Sequence, residues 1–179
     1  MLSARHIVRR ITGFERDERG IGHPRRTVMV RIERDVWIDA EHKAVFEYMA
    51  SPENHLNVMP SLHRIENVEE LPSGGHRGEF RFKMVGIPIE GRFEDIEFVP
   101  NERRVYEMSG DVEGSMHYTF EPADGGTHFT CVMDVAFPSR VLDRVLRPVV
   151  RKYNEREVET MLANLKTLME TERKTPQPA

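Results

Sequence analysis

Cysteine is all but missing from this chain of 179 residues: Cys131 stands alone, so no internal disulfide can form. It lies in an alternating apolar run without a cationic cluster beside it, and so reads as a small buried hydrophobe rather than a reactive thiol. One cysteine and no signal-peptide pattern point to a reducing, cytoplasmic setting. Long apolar runs are also missing; none approaches the roughly 20 residues that a membrane-spanning helix needs. Neither sign of charge dominates. A net charge of -4 argues against a dedicated nucleic-acid binder. The eight histidines (His6, His23, His42, His55, His63, His76, His117 and His128) include no pair at metal-ligand spacing. There is no GxSxG elbow, P-loop or dinucleotide fingerprint, and Gly74-Gly75 and Gly125-Gly126 read as hairpin turns. These gaps predict no metal site, no cofactor and no assembled catalytic set.

What is present begins with an uneven distribution of charge. Residues 1–27 hold seven arginines against Glu15, Asp17 and Glu18, a net +4, which leaves -8 for the remainder. Arg9-Arg10 has no apolar segment after it, which removes a twin-arginine export signal. Leu2, Ile7, Val8, Ile11 and Phe14 fall roughly on one helical face among the arginines. Three readings stay open for this basic extension: a disordered arm, a sequence that precedes a true start at Met29, or a short helix making weak peripheral contact with a membrane. An arm or a later start ranks ahead of membrane contact.

From Thr27 to Ile38 apolar residues alternate, the signature of a strand with one buried face. Asp39 then reads as the cap of a helix carrying Val45, Phe46 and Met49, which should stop at Ser51-Pro52. Asn54 to Met59 reads as a second short helix. Six strands follow between turn signals: Leu62–Leu71, His76–Val85, Ile87–Val99, Arg103–Ser109, Glu113–Glu121 and Thr127–Phe137. In the third of these the apolar parity changes from Ile89, Gly91 and Phe93 to Ile96 and Phe98, which predicts a β-bulge near Glu94-Asp95. A helix from Ser139 to Thr171 closes the fold, kinked or split at Pro148, before a polar, disordered tail at 172–179.

This order gives an α+β domain over 28–171: a curved seven-stranded antiparallel sheet wrapped around a long C-terminal helix, with two short helices after the first strand. A twisted sheet must cover its concave face, and the C-terminal helix is the apolar element long enough to do so. Space between the two that side chains do not fill is a binding cavity.

The phrases "VWIDAEHKAVFEYMASPENHLNVMP", "GHRGEFRF", "FVPNERRVYEMSG", "HYTFEPADGGTHFT" and "NEREVETMLANLKTLME" carry a family likeness. Over roughly Arg31 to Glu170 the chain resembles the START-like or SRPBCC superfamily, in its polyketide cyclase/dehydrase and lipid-transport branch. The resemblance implies a helix-grip fold and an apolar or aromatic ligand held between sheet and helix. It does not by itself imply catalysis.

The inward parity of the strands is rich in phenylalanine and methionine. Phe80, Phe82, Met84, Phe93, Met116, Tyr118, Phe120, Phe129 and Met133, with Val149 and Tyr153 from the helix, form the expected ligand-binding wall. Their other reading is ordinary core. Arg92, His117 and Asn154 would reach the rim only if a bulge or the helix kink turned them inward, and their leading reading is as solvated surface groups; acid pairs such as Glu69-Glu70 and Glu94-Asp95 read as solvent-facing. The leading function is non-enzymatic binding or transport of a lipid, quinone or polyketide-like molecule by a monomer or homodimer. The alternative is a cyclase/aromatase that uses Tyr118 with Arg92 or His117 for proton transfer.

Overall fold

The structure, a computed structural model, describes residues 28–137 and 147–174. Seven strands form one antiparallel sheet: β1 (Val28–Ile38), β2 (Leu62–Glu70), β3 (His76–Met84), β4 (Ile87–Val99), β5 (Arg103–Gly110), β6 (Glu113–Ala123) and β7 (Gly126–Phe137). Their order is β1-β7-β6-β5-β4-β3-β2, so every neighbouring pair after β1-β7 is joined by a hairpin. The helices α1 (His42–Ala50) and α2 (His55–Val58), linked by a single 3-10 turn, fill the connection from β1 to β2. The long C-terminal helix α3 spans Arg147–Lys174 and lies against the sheet. This is the helix-grip arrangement expected from the sequence.

Two tight hairpins owe their shape to left-handed residues. Val85 and Gly86 join β3 to β4 with φ of 51° and 80°, and Asp124-Gly125 joins β6 to β7 with φ of 49° and 77°. Two successive positive φ values match the right-handed twist of the flanking strands. The β-bulge is real but sits one residue later than predicted. Asp95 still faces Tyr106, Glu97 faces Val105, and Ile96 is the extra residue. Consequently Ile96 is exposed, and Asp95 keeps the inward parity of Ile89, Gly91 and Phe93.

The helices also depart in detail from expectation. Glu41, not Asp39, occupies the N-cap of α1, and its side chain makes no capping hydrogen bond. The Asp39 N–H instead donates to Glu170 Oε1 on α3 at 3.0 Å. Val45, Phe46 and Met49 are buried as expected, with the Phe46 ring edge-on to Phe98 and Phe120. The buried stripe of α3 is Val150, Asn154, Val158, Met161, Leu162, Leu165 and Met169. Val149 is therefore turned outward, at 42% exposure, contrary to expectation. Pro148 falls in the first turn of the described helix, and Ser139 lies outside the described residues, as do 1–27 and 175–179.

Gly91 shapes the wall that α3 faces. A Cβ there would lie 2.6 Å from the Phe80 ring and 2.5 Å from the Ser109 carbonyl oxygen. Gly91→Ala should destabilise the fold by about 1–3 kcal/mol through overpacking, read as a lower urea midpoint. An unchanged midpoint would mean that the two strands have room to separate.

Candidate functional site

Between the concave face and the helices lies a cavity of about 100 Å³. The sheet supplies its floor: Leu62 and Ile65 from β2, Phe80 and Phe82 from β3, Phe93 from β4, Tyr106 and Met108 from β5, Met116 from β6, and Met133, Val135 and Phe137 from β7. The alternation of each strand sends these side chains to one face. Pro52, His55 and Met59 close one side from the α1–β2 connection, and Tyr153, Asn154, Glu157, Val158 and Met161 cover it from α3. The half-buried Met59, Leu62, Phe82, Met108 and Tyr153 mark where it approaches solvent. Among them the Tyr153 hydroxyl donates to the Lys83 carbonyl at 2.7 Å. Nearby, Ser61 gives both its N–H (3.1 Å) and its hydroxyl (2.5 Å) to Glu157 Oε1.

Of the residues expected in the wall, Phe80, Phe82, Phe93, Met116, Met133 and Tyr153 line the cavity. Met84, Tyr118, Phe120 and Phe129 are buried in the core and do not line it. Val149 is not part of it, because the inner stripe of α3 runs through Val150 and Asn154 instead. The rim candidates separate in the same way. Asn154 is buried, lines the cavity and donates to the Val150 carbonyl at 2.7 Å. Arg92 is on the outer face, paired with Glu79 at 3.4 Å. His117 also points to the outer face, 2.9 Å from the Ser115 hydroxyl. Tyr118, Arg92 and His117 therefore do not converge.

The polar centre of the site was not anticipated. Arg104, which lines the cavity, is 1% exposed. Its Nε donates to Asp95 Oδ1 and its Nη1 to the Met49 carbonyl, both at 2.7 Å. Asp95 Oδ2 accepts the His76 N–H at 2.7 Å. The guanidinium lies 5.1 Å from the centre of the Tyr106 ring. Asp95 is thus a correction to the solvent-facing reading of Glu94-Asp95: of the two, Glu94 is exposed and Asp95 buried.

His55 is the second unanticipated group. It is 4% exposed, stacked on Tyr118 at 5.9 Å between ring centres and edge-on to Tyr106 at 6.3 Å. Its Nδ1 lies 3.2 Å from both the Ser51 and Pro52 carbonyl oxygens. A carbonyl only accepts, so Nδ1 carries the proton. Nε2 is then a bare acceptor, and it has no partner. Burial first, and the Arg104 cation second, hold the imidazole pKa down to about 3. The Tyr106 and Tyr118 hydroxyls meet at 3.1 Å, and Tyr118 also contacts Met161 Sδ at 3.8 Å. Burial pushes Tyr106 up to about 12 and Tyr118 well above the usual phenol range. Among the described residues no cluster of His, Cys, Asp or Glu is arranged to hold a metal ion. No described helix is long and apolar enough to cross a membrane.

The two buried groups have measurable consequences. Asp95→Ala should cost about 3–5 kcal/mol in chemical denaturation, since it strands the Arg104 charge, whereas Asp95→Leu with Arg104→Met should cost much less. An equal loss in both would show that the ion pair itself is the stabilising element. For His55 the folded pKa lies below the unfolded value of 6.5. Above pH 6.5 both states are neutral; below it the unfolded chain takes up a proton that the folded chain refuses until near pH 3. Stability should therefore decrease as the pH is lowered through that window, by up to about 1.4 kcal/mol per unit. Comparing urea midpoints at pH 7 and pH 5 checks this, and His55→Gln should flatten the difference.

The comparisons with known proteins agree with this geometry. The family model described as polyketide cyclase/dehydrase and lipid transport matches residues 29–170. A Thermus thermophilus structure is similar with a TM-score of 0.69 and 19% identity, covering 83% of this chain and 100% of its own. The Zhui aromatase/cyclase from Streptomyces sp. R1128 gives 0.70 and 16%, covering 83% of this chain and 98% of its own. A START superfamily protein from Mycobacterium smegmatis gives 0.67 and 12%, covering 79% and 97%. At these identities the likeness is one of fold. A search of curated proteins gave no match. With the family model spanning nearly the whole described sheet and most of α3, the chain belongs to the polyketide cyclase/dehydrase and lipid-transport family.

Proposed function

We propose that this protein binds and carries or senses an apolar small molecule, of lipid, quinone or polyketide-like chemistry, in the cavity between sheet and α3. The observation that carries this reading is the cavity itself: about 100 Å³ of space walled mainly by Phe, Met and other apolar side chains. One water needs only about 10–15 Å³, so the space exceeds a packing defect. It is smaller than the roughly 300 Å³ at which pockets for drug-sized ligands begin. A larger guest therefore requires the wall to move. Met59, Met108, Met116, Met133 and Met161 supply that movement, because unbranched thioether side chains change rotamer at little cost.

The cyclase-type alternative is less well supported. Arg92 and His117 sit on the outer face, away from Tyr118. The groups that do meet the cavity are poorly matched to proton transfer. An imidazole with a pKa of about 3 is a weak base at neutral pH, and a phenol at about 12 is a weak acid. Efficient general acids and bases titrate near the working pH.

Mass spectrometry of an organic extract of the purified protein, against a mock purification, should yield one apolar compound near one-to-one. Met133→Trp, which fills the space from β7, should lower that occupancy at least tenfold while the circular dichroism stays unchanged. Undiminished occupancy in the folded Trp variant would place the ligand elsewhere and overturn the proposal.

A further inference from the structure

The β3–β4 and β6–β7 hairpins share one turn geometry but not one turn chemistry. Their central residues have φ of 51° and 80° in the first and 49° and 77° in the second. Such turns favour Asp or Asn followed by Gly, and Asp124-Gly125 obeys. The β3–β4 turn places Val85 in the first position instead. A β-branched side chain is strained in the left-handed region. Val85 regains nothing by burial, since it is 50% exposed. A Cβ on Gly86 beside it would meet nothing within 4 Å, so the turn projects into open space. A strained apolar residue kept at such a tip is suited to contact outside the chain.

The start of α3 sits beside this tip. The Tyr153 hydroxyl donates to the Lys83 carbonyl at 2.7 Å, and Asn154 reaches Met84 Sδ at 3.8 Å. Pro148 and Val149 are exposed there too. Lys152 and Arg156, at i+3 and i+7 from Val149, share its side of the helix. Like Lys83 they are exposed and form no ion pair with another described residue. Neighbouring carboxylates are engaged, Glu155 by Arg151 and Glu90 by Arg81. The next hairpin carries Asp111 and Glu113, and Asp111 is turned back to accept the Glu90 N–H at 3.2 Å. β1 begins at this end as well, since Val28 faces Phe137 and Glu113 faces Ala136. Residues 1–27, with seven arginines against three acids, therefore join the fold here. Phe82 and Tyr153, where the cavity approaches solvent, adjoin the same contact. Apolar side chains at an apex with cations around them match a lipid surface: the first enter the acyl boundary and the second meet acidic headgroups. A nucleic acid would leave Val85 and Val149 without a partner. We propose that this end of the domain, built from the β3–β4 tip and the first turns of α3, docks on an anionic lipid bilayer and so brings the cavity to the membrane. Docking and ligand holding are separate properties, and the first can fail while the cavity still keeps its guest.

Co-sedimentation of the full-length protein with phosphatidylcholine vesicles, with and without phosphatidylserine, tests this. The wild type should bind the phosphatidylserine vesicles more tightly, and less so as salt is added. Val85→Asn combined with Val149→Asn should weaken that binding about tenfold. Its urea midpoint should hold or rise, because Asn suits the left-handed turn position. Lys152→Glu combined with Arg156→Glu should also weaken it about tenfold or more, and should leave the apolar compound in the organic extract undiminished. Full vesicle binding by both folded variants overturns the assignment and gives the binding to residues 1–27. Absence of wild-type binding to either vesicle overturns it as well, and a compound in the extract would then still uphold the cavity. Retention on heparin without vesicle binding would assign the cations to a soluble polyanion and likewise refute the membrane.

Discussion

Arg104 is the one fully buried cation among the described residues, and three parts of the chain are arranged to hold it. The inward parity of β4 brings Asp95 to it just before the bulge, the last turn of α1 offers the Met49 carbonyl, and the start of β3 supplies an N–H to the far oxygen of Asp95. A buried ion pair seldom adds much net stability over an apolar substitute. What it does here is fix relative position. Sheet, α1 and the β2–β3 turn are all tied to one rigid planar group. Gly75 belongs to the same arrangement, because a Cβ at that position would lie 2.6 Å from that of Asp95.

That fixed centre explains the contrast inside the cavity. Toward Arg104 and His55 the wall is locked by hydrogen bonds and ring contacts. Away from it, the methionines of β5, β6, β7 and α3 are held mainly by dispersion. One end of the space is therefore suited to orientation and the other to accommodating shape. The division also accounts for the pKa values: groups at the rigid end are dehydrated, which favours their neutral forms.

Much of the fold was legible in the sequence because strand alternation and turn chemistry are local. Phe80, Phe82, Phe93, Met116 and Met133 could be assigned to one face by counting in twos. The misses at Asp95, Arg104 and Val149 share one cause: polar residues on apolar stripes. Asp95 continues the parity of Ile89 and Phe93, and Arg104 that of Tyr106 and Met108, but a search for apolar residues passes over both. Asn154 hid the true stripe of α3 in the same way. Skipping it shifts the inner face by one residue, about 100° around the helix, and selects Val149 in place of Val150. His55 had no periodic signal at all, since it begins a helix of only four residues.

Cys131 lies on β7, opposite Tyr118 of β6 and Arg34 of β1, and is fully buried with its thiol pushed far toward the neutral form. A thiol reacts as its thiolate, and only when reagent can reach it. Neither condition holds while the core packed over the inner face of β7 stays closed. The rate at which an alkylating reagent captures Cys131 is thus a clock for the opening of that core. The chain carries its own single-site reporter of how long the grip around the cavity stays shut.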